Sequence, residues 1–242
     1  MLTHLRSLAA LTAAVGLAWS PLTAQSQISH AVSSPNGRNT VALDTRDGVL
    51  RYAVDHDRKP VVQPSRLGFA FRNAPALADN LRITGESRSS TDETWTQPWG
   101  ELTRIRDRHN ELRVAVVETK APARHFVVVI RAFDDGVAFR YELPDQPGLA
   151  NYEISDELTE FTLADNAKTW WIASNRPRLD RSEQLYSEGP VSTLDSVQTP
   201  LTMRTSGGLY VVIHEANLVD YPRMFLAGPR MDGRTLRAAL AP

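Results

Sequence analysis

The sequence predicts an all-β chain folded as a large two-layer β-sandwich. Short segments of alternating apolar and polar residues recur along it, and Gly-, Asp-, Asn- and Pro-containing turn signals separate them. Helix-length patterns are almost missing: only Glu215 to Asp220 has room for one short turn, which Tyr221-Pro222 would end.

Asn36-Gly37 and Asp47-Gly48 bracket Thr40 to Asp44, and Leu50 to Val54 alternates as a half-buried strand does, so the chain opens on a pair of hairpins. In Leu67-Gly68-Phe69-Ala70-Phe71 the large residues share one face and only small ones separate them, which implies that a backbone passes close to the other face. Asn110-Glu111-Leu112 opens a strand that continues through Val114 and Val116. The clearest hairpin joins Phe126–Phe133 to Val137–Leu143 through Asp134-Asp135-Gly136, where Asp-Gly would supply positive φ. Its first arm is apolar on both sides and should be central, whereas the second alternates and should be half exposed. Pro144 stops the ladder, residues 145–158 read as irregular, and short strands resume at Phe161-Thr162-Leu163 and Trp170-Trp171-Ile172. Residues 175–199 read as a long surface loop with Arg176, Arg178, Arg181, Glu183, Tyr186 and Glu188 available to a partner. The last clear strand is Leu209 to Ile213.

Residues 1–24 read as a cleavable export signal: Arg6 in a short basic start, an apolar stretch from Leu8 to Trp19, and Pro21-Leu22-Thr23-Ala24 before Gln25. The mature domain, residues 25–242, is then expected in the periplasm or outside the cell. Its length of about 218 residues is enough for one self-sufficient core. There is no Cys, so disulfides and thiolate metal sites are excluded. The 27 basic residues are dispersed among 28 acidic ones, which argues against a nucleic-acid or anionic-lipid surface. No apolar run after the signal is long enough to span a membrane.

Gly-rich phosphate loops, a nucleophile elbow, HExxH and EF-hand loops are all missing. The most informative feature is the end of the last strand. Leu209, Val211, Ile213 and Glu215 fall on one face, with His214 on the other, so a carboxylate ends an apolar row. Such a group is either solvated or held by a cation, a metal or good donors. The acid pair Asp134/Asp135 is explained by turn chemistry, and Glu157/Glu160 by solvation at a strand start. Trp95, Pro98 and Trp99 either pack in the core or form a sugar-stacking platform. Asn110 and Glu111 cap a turn or face a ligand, and His125 is expected as a satisfied structural histidine.

Several separated motifs together resemble the amino-terminal domain of glycoside hydrolase family 97. They are Ser34-Pro35-Asn36-Gly37, Ser65-Arg66-Leu67-Gly68, Trp99-Gly100-Glu101, Asn110-Glu111-Leu112, Asp134 through Tyr141, Thr199-Pro200-Leu201 and Ile213-His214-Glu215-Ala216. The resemblance implies a β-super-sandwich like that of galactose mutarotase, packed in the complete enzyme against a (β/α)8 barrel that cleaves α-linked oligosaccharides as an α-glucosidase or α-galactosidase. It also implies that the barrel supplies the catalytic residues and most ligands of an active-site Ca²⁺, with Glu215 matching the one ligand from the amino-terminal domain. No catalytic residue is then expected in this chain. It is expected to lack the barrel, to look like a gene fragment whose last sandwich strands are missing, and to bind Ca²⁺ weakly alone. Two other readings are a free-standing carbohydrate-binding module using Trp95, Trp99 or the region of Tyr186, and a mutarotase-like epimerase using His125, His214 and Glu215.

Overall fold

The structure, a computed structural model, describes residues 30–174 and 183–241. The proposed export signal and Arg176, Arg178 and Arg181 lie outside these residues. The described chain is β throughout, apart from two short 3-10 turns at Pro147–Leu149 and Val191–Thr193.

The first four strands, β1 (His30–Ser33), β2 (Asn39–Arg46), β3 (Val49–His56) and β4 (Lys59–Arg66), form consecutive antiparallel hairpins. Asp47 and Gly48 both take positive φ (53° and 72°), which suits the right-handed twist of the β2–β3 hairpin. The β3–β4 turn uses the same geometry at Asp57 and Arg58 (49° and 62°), with no glycine to announce it. After the short β5 (Phe69–Phe71) come the long pair β6 (Leu81–Thr96) and β7 (Arg104–Glu118), then β8 (His125–Phe133) and β9 (Val137–Glu142). β10 (Ile154–Glu157) pairs with β5 inside the stretch expected to be irregular. β11 (Glu160–Leu163) and β12 (Lys168–Trp171) follow as expected.

The stretch from 175 to 199 is not simply a loop. Its described part holds β13 (Ser187–Pro190), the second 3-10 turn and β14 (Ser196–Gln198). Val191, Leu194 and Val197 are buried there, anchoring a segment whose charges had suggested a solvated loop. Pro190 is tolerated because β13 is an edge strand. The chain ends with β15 (Leu201–Arg204), β16 (Tyr210–Ile213), β17 (Met224–Ala227) and β18 (Thr235–Leu240).

An eight-stranded sheet runs β1-β2-β3-β4-β11-β18-β17-β14. Opposite it stand the four-stranded sheets β6-β7-β8-β9 and β13-β12-β15-β16, with β10-β5 between elements of the core. Tyr52 of β3 joins the layers, its ring 5.1 Å from Phe139 of β9 and 6.4 Å from Phe161 of β11. This is the antiparallel all-β sandwich that the alternation predicts. β8 is central and largely buried, and β9 is the half-exposed edge. The β8–β9 turn differs from expectation in one respect: neither Asp135 nor Gly136 has positive φ. Asp134 instead accepts the Asn36 backbone N–H (2.8 Å) and pairs with Arg108 (3.0 Å). At Gly68 the expected close backbone is Leu77, whose carbonyl oxygen would stand 2.7 Å from an added Cβ.

Candidate functional site

β16 ends at Ile213, which is buried, and the chain leaves the sheet through exposed His214 and half-buried Glu215. The carboxylate meets good donors. The Met224 backbone N–H donates to Glu215 Oε2 (2.7 Å), and the Thr199 hydroxyl lies 3.2 Å from Oε1. That hydroxyl is also 3.1 Å from the Met224 carbonyl, and its single proton serves one acceptor at a time. Glu215 thus ties the segment after β16 to the starts of β15 and β17. Among the described residues no basic side chain forms an ion pair with it.

Residues 214–223 form no helical turn. Asn217 and Asp220 both have φ of 52°, in the left-handed region, so the expected turn from Glu215 to Asp220 gives way to an irregular excursion. Tyr221 fastens its far end by donating to Glu157 Oε2 (2.9 Å). Burial and the Glu157 carboxylate push the Tyr221 hydroxyl far above its usual range, so it remains a donor. Glu157 also accepts the Thr159 hydroxyl (2.6 Å), which meets the buried Tyr141 hydroxyl at 2.8 Å. Glu160 pairs with Arg230 (2.8 Å). The two acids expected to be solvated are therefore partnered, because the strands around them converge on a polar seam of the core.

Other expected sites disperse. Trp99 and Trp95 are 76% and 49% exposed, so neither packs in the core. They stand near the tip of the β6–β7 hairpin, which extends past the end of β8 from the pair Asp92↔Arg108 to Thr96↔Arg104. Tyr186 is exposed too. Asn110 bridges Ser90 and the Ser33 carbonyl, and buried Glu111 accepts from Arg131 (2.8 Å), so both are structural. His125 is exposed rather than a packed core histidine; it is its backbone that Gln146 brackets, at 2.8 and 2.6 Å. His125 opens β8 whereas His214 and Glu215 follow β16 of another sheet, and among the described residues no group of three or more His, Asp or Glu could hold a metal ion.

The all-β sandwich agrees with the comparisons. The family model for the glycosyl-hydrolase 97 N-terminal domain matches residues 32–240. The chain belongs to glycoside hydrolase family 97, as its N-terminal domain. This family 97 domain is 30% identical over 197 residues to a probable retaining alpha-galactosidase of Streptomyces bingchenggensis, covering 77% of the chain and 28% of the relative. It is 23% identical over 219 residues to the retaining alpha-galactosidase of Bacteroides thetaiotaomicron, covering 85% of the chain and 31% of the relative. A family 97 enzyme from Pseudoalteromonas sp. strain K8, solved with acarbose, superposes with a TM-score of 0.82 at 36% identity, over 88% of this chain and 32% of that one. A beta-arabinopyranosidase shares the fold at 22% identity, with a TM-score of 0.77 over 87% of this chain and 35% of that one. The family 97 domain thus spans less than a third of the curated relatives it matches. Among its described residues no helix is long and apolar enough to cross a membrane.

Two features escaped the sequence reading. The donors to Glu215 come from Thr199, 16 positions away, and from a backbone amide at Met224, which carries no side-chain signal. Trp170 and Tyr210 stack across the outer face of the β13-β12-β15-β16 sheet (6.3 Å, 17°), with Lys168 and Arg204 over their rings.

Proposed function

We propose that this chain is the exported, non-catalytic N-terminal domain of a calcium-dependent α-glycosidase, serving as scaffold for a (β/α)8 barrel and contributing one calcium ligand, Glu215. The observation that supports the reading is the half-buried Glu215 carboxylate, preorganised by the Met224 N–H and Thr199 rather than neutralised by a cation. Each of its oxygens keeps acceptor capacity after these bonds, and carboxylate oxygen suits hard Ca²⁺. One carboxylate fits as one ligand and no more, so the remaining oxygens would come from the barrel. Bound calcium supplies fixed positive charge that stabilises charge developing during glycoside cleavage. This chain's part is to hold one oxygen ligand in place.

The test is a family-length enzyme made by joining this chain to the catalytic region of the Pseudoalteromonas relative. Glu215→Gln should weaken Ca²⁺ binding and lower turnover on α-linked oligosaccharides. Unchanged calcium affinity and rate would remove Glu215 from the site.

The exposure of Trp95, Trp99 and Tyr186 favours a second reading, a carbohydrate-binding module that acts alone. Calorimetry of the isolated chain with maltooligosaccharides and melibiose separates the two, because clear binding contradicts a pure scaffold.

A further inference from the structure

We propose that Thr199 is a positioning residue for Glu215: its hydroxyl proton exchanges between Glu215 Oε1 and the Met224 carbonyl, so that Oε1 is the oxygen released to a cation while Oε2 stays fixed. This role rests on the calcium reading of Glu215 and names how that ligand is held and freed.

Strand register explains why these groups meet. The Ala241 N–H donates to the Arg223 carbonyl (2.8 Å), continuing the β17–β18 ladder in which Met224 faces Leu240. In an antiparallel ladder, bonded pairs alternate with pairs whose N–H and C=O turn to the opposite side. The Met224 N–H and C=O therefore point away from β18 and toward β14. There the β14–β17 pairing runs from Ser196↔Ala227 to Gln198↔Phe225, which puts Thr199 next in register with Met224. Among the described residues no backbone bond joins those two. The Met224 N–H donates instead to Glu215 Oε2 (2.7 Å), and its carbonyl receives the Thr199 hydroxyl (3.1 Å). Two side chains thus stand in for one backbone rung at the end of β14.

That substitution holds the two oxygens of Glu215 unequally. Oε2 takes a backbone N–H whose position the sheet fixes, at the shorter distance. Oε1 takes only a hydroxyl, at 3.2 Å, and the single proton of that hydroxyl has a second acceptor within reach. Thr199 and Met224 are both buried, and a buried carbonyl left without a donor is costly. In the metal-free domain one proton is therefore contested by two acceptors. A cation on Oε1 removes that oxygen's need for a donor, and the hydroxyl turns fully to the Met224 carbonyl. No buried polar group loses its partner in the exchange, and Glu215 keeps its place through Oε2.

The test compares wild type, Thr199→Val, Thr199→Ser and Glu215→Gln, both in the 242-residue chain and in the enzyme that joins it to the Pseudoalteromonas catalytic region. Thr199→Val keeps the side-chain shape and removes the donor, so calorimetric Ca²⁺ titration of the joined enzyme should give a roughly tenfold weaker Kd. Thr199→Ser keeps the hydroxyl and should restore the affinity; Thr199→Ala replaces the valine variant if that one does not fold. In the metal-free 242-residue chain the Met224 amide should exchange roughly tenfold faster in Thr199→Val, because Glu215 has lost one of its two tethers, and at the wild-type rate in Thr199→Ser. A Thr199→Val protein with a lower denaturant midpoint but unchanged Kd overturns the proposal by making Thr199 structural only. So does a weakened Kd that the serine variant fails to restore. Unchanged Kd in Glu215→Gln overturns the calcium reading instead, and is told apart because the Met224 exchange rates need no metal.

Discussion

Arg124 is the largest fully buried side chain among the described residues, 1% exposed, and its charge is met by Glu118. Its Nε and Nη2 donate to the two carboxylate oxygens at 2.7 and 2.6 Å, and its own backbone N–H adds a third bond at 3.0 Å. Nη1 and Nη2 also donate to the carbonyls of Pro75 and Ala76 (2.8 and 3.0 Å), and the guanidinium lies 5.5 Å from the Phe71 ring centroid. Glu118→Gln keeps the shape and removes the charge, leaving a buried cation with neutral acceptors. Two charge-assisted bonds at about 1.5–3 kcal/mol each, or the penalty of an uncompensated buried charge, give a loss of about 3–5 kcal/mol. Against a domain stability of about 5–15 kcal/mol, that is a large fraction. Urea unfolding of wild type, Glu118→Gln, Arg124→Met and the double variant measures it. The double variant should be less destabilised than the sum of the singles, because it leaves no orphaned charge. A Glu118→Gln loss below about 1 kcal/mol, or strict additivity, would refute the reasoning.

Three further outcomes follow from named contacts. Gly68→Ala should lower stability by about 1–3 kcal/mol, since φ is +150° and the new Cβ would meet the Leu77 carbonyl; a thermal melt within error of wild type would disprove that close approach. Tyr221→Phe removes one of the two donors to Glu157 and should destabilise by about 1 kcal/mol, with faster amide exchange confined to residues 214–223. The Asp165 carboxyl sits below its ordinary value of 3.8, chiefly through the Ser206 backbone N–H. Its stabilisation of the β15–β16 turn is therefore complete above that value and fades as pH falls through the lower folded one. Denaturant midpoints should drop between about pH 4 and pH 2 more in wild type than in Asp165→Asn, and equal drops would count against it.

Strand alternation made most of the sandwich legible. β2, β3, β8, β9, β11, β12 and β16 each show an apolar row or a doubly apolar run, since burying one face of a pleated strand imposes period two. Signals failed where geometry came from distant contacts. The Asp57-Arg58 turn needs no glycine when strands on both sides fix it, and β13 and β14 escape the alternation pattern because β13 buries none of its residues and β14 only Val197 and Gln198.

Sequence alone determined the all-β class, the absence of thiol chemistry and the family motifs, including the carboxylate at Glu215, because those depend on residue type and period. Tertiary structure decided what surrounds that carboxylate. Donors to Glu215 come from Thr199 and a backbone amide on β17. Such properties belong to groups far apart in the chain, and no local pattern encodes them.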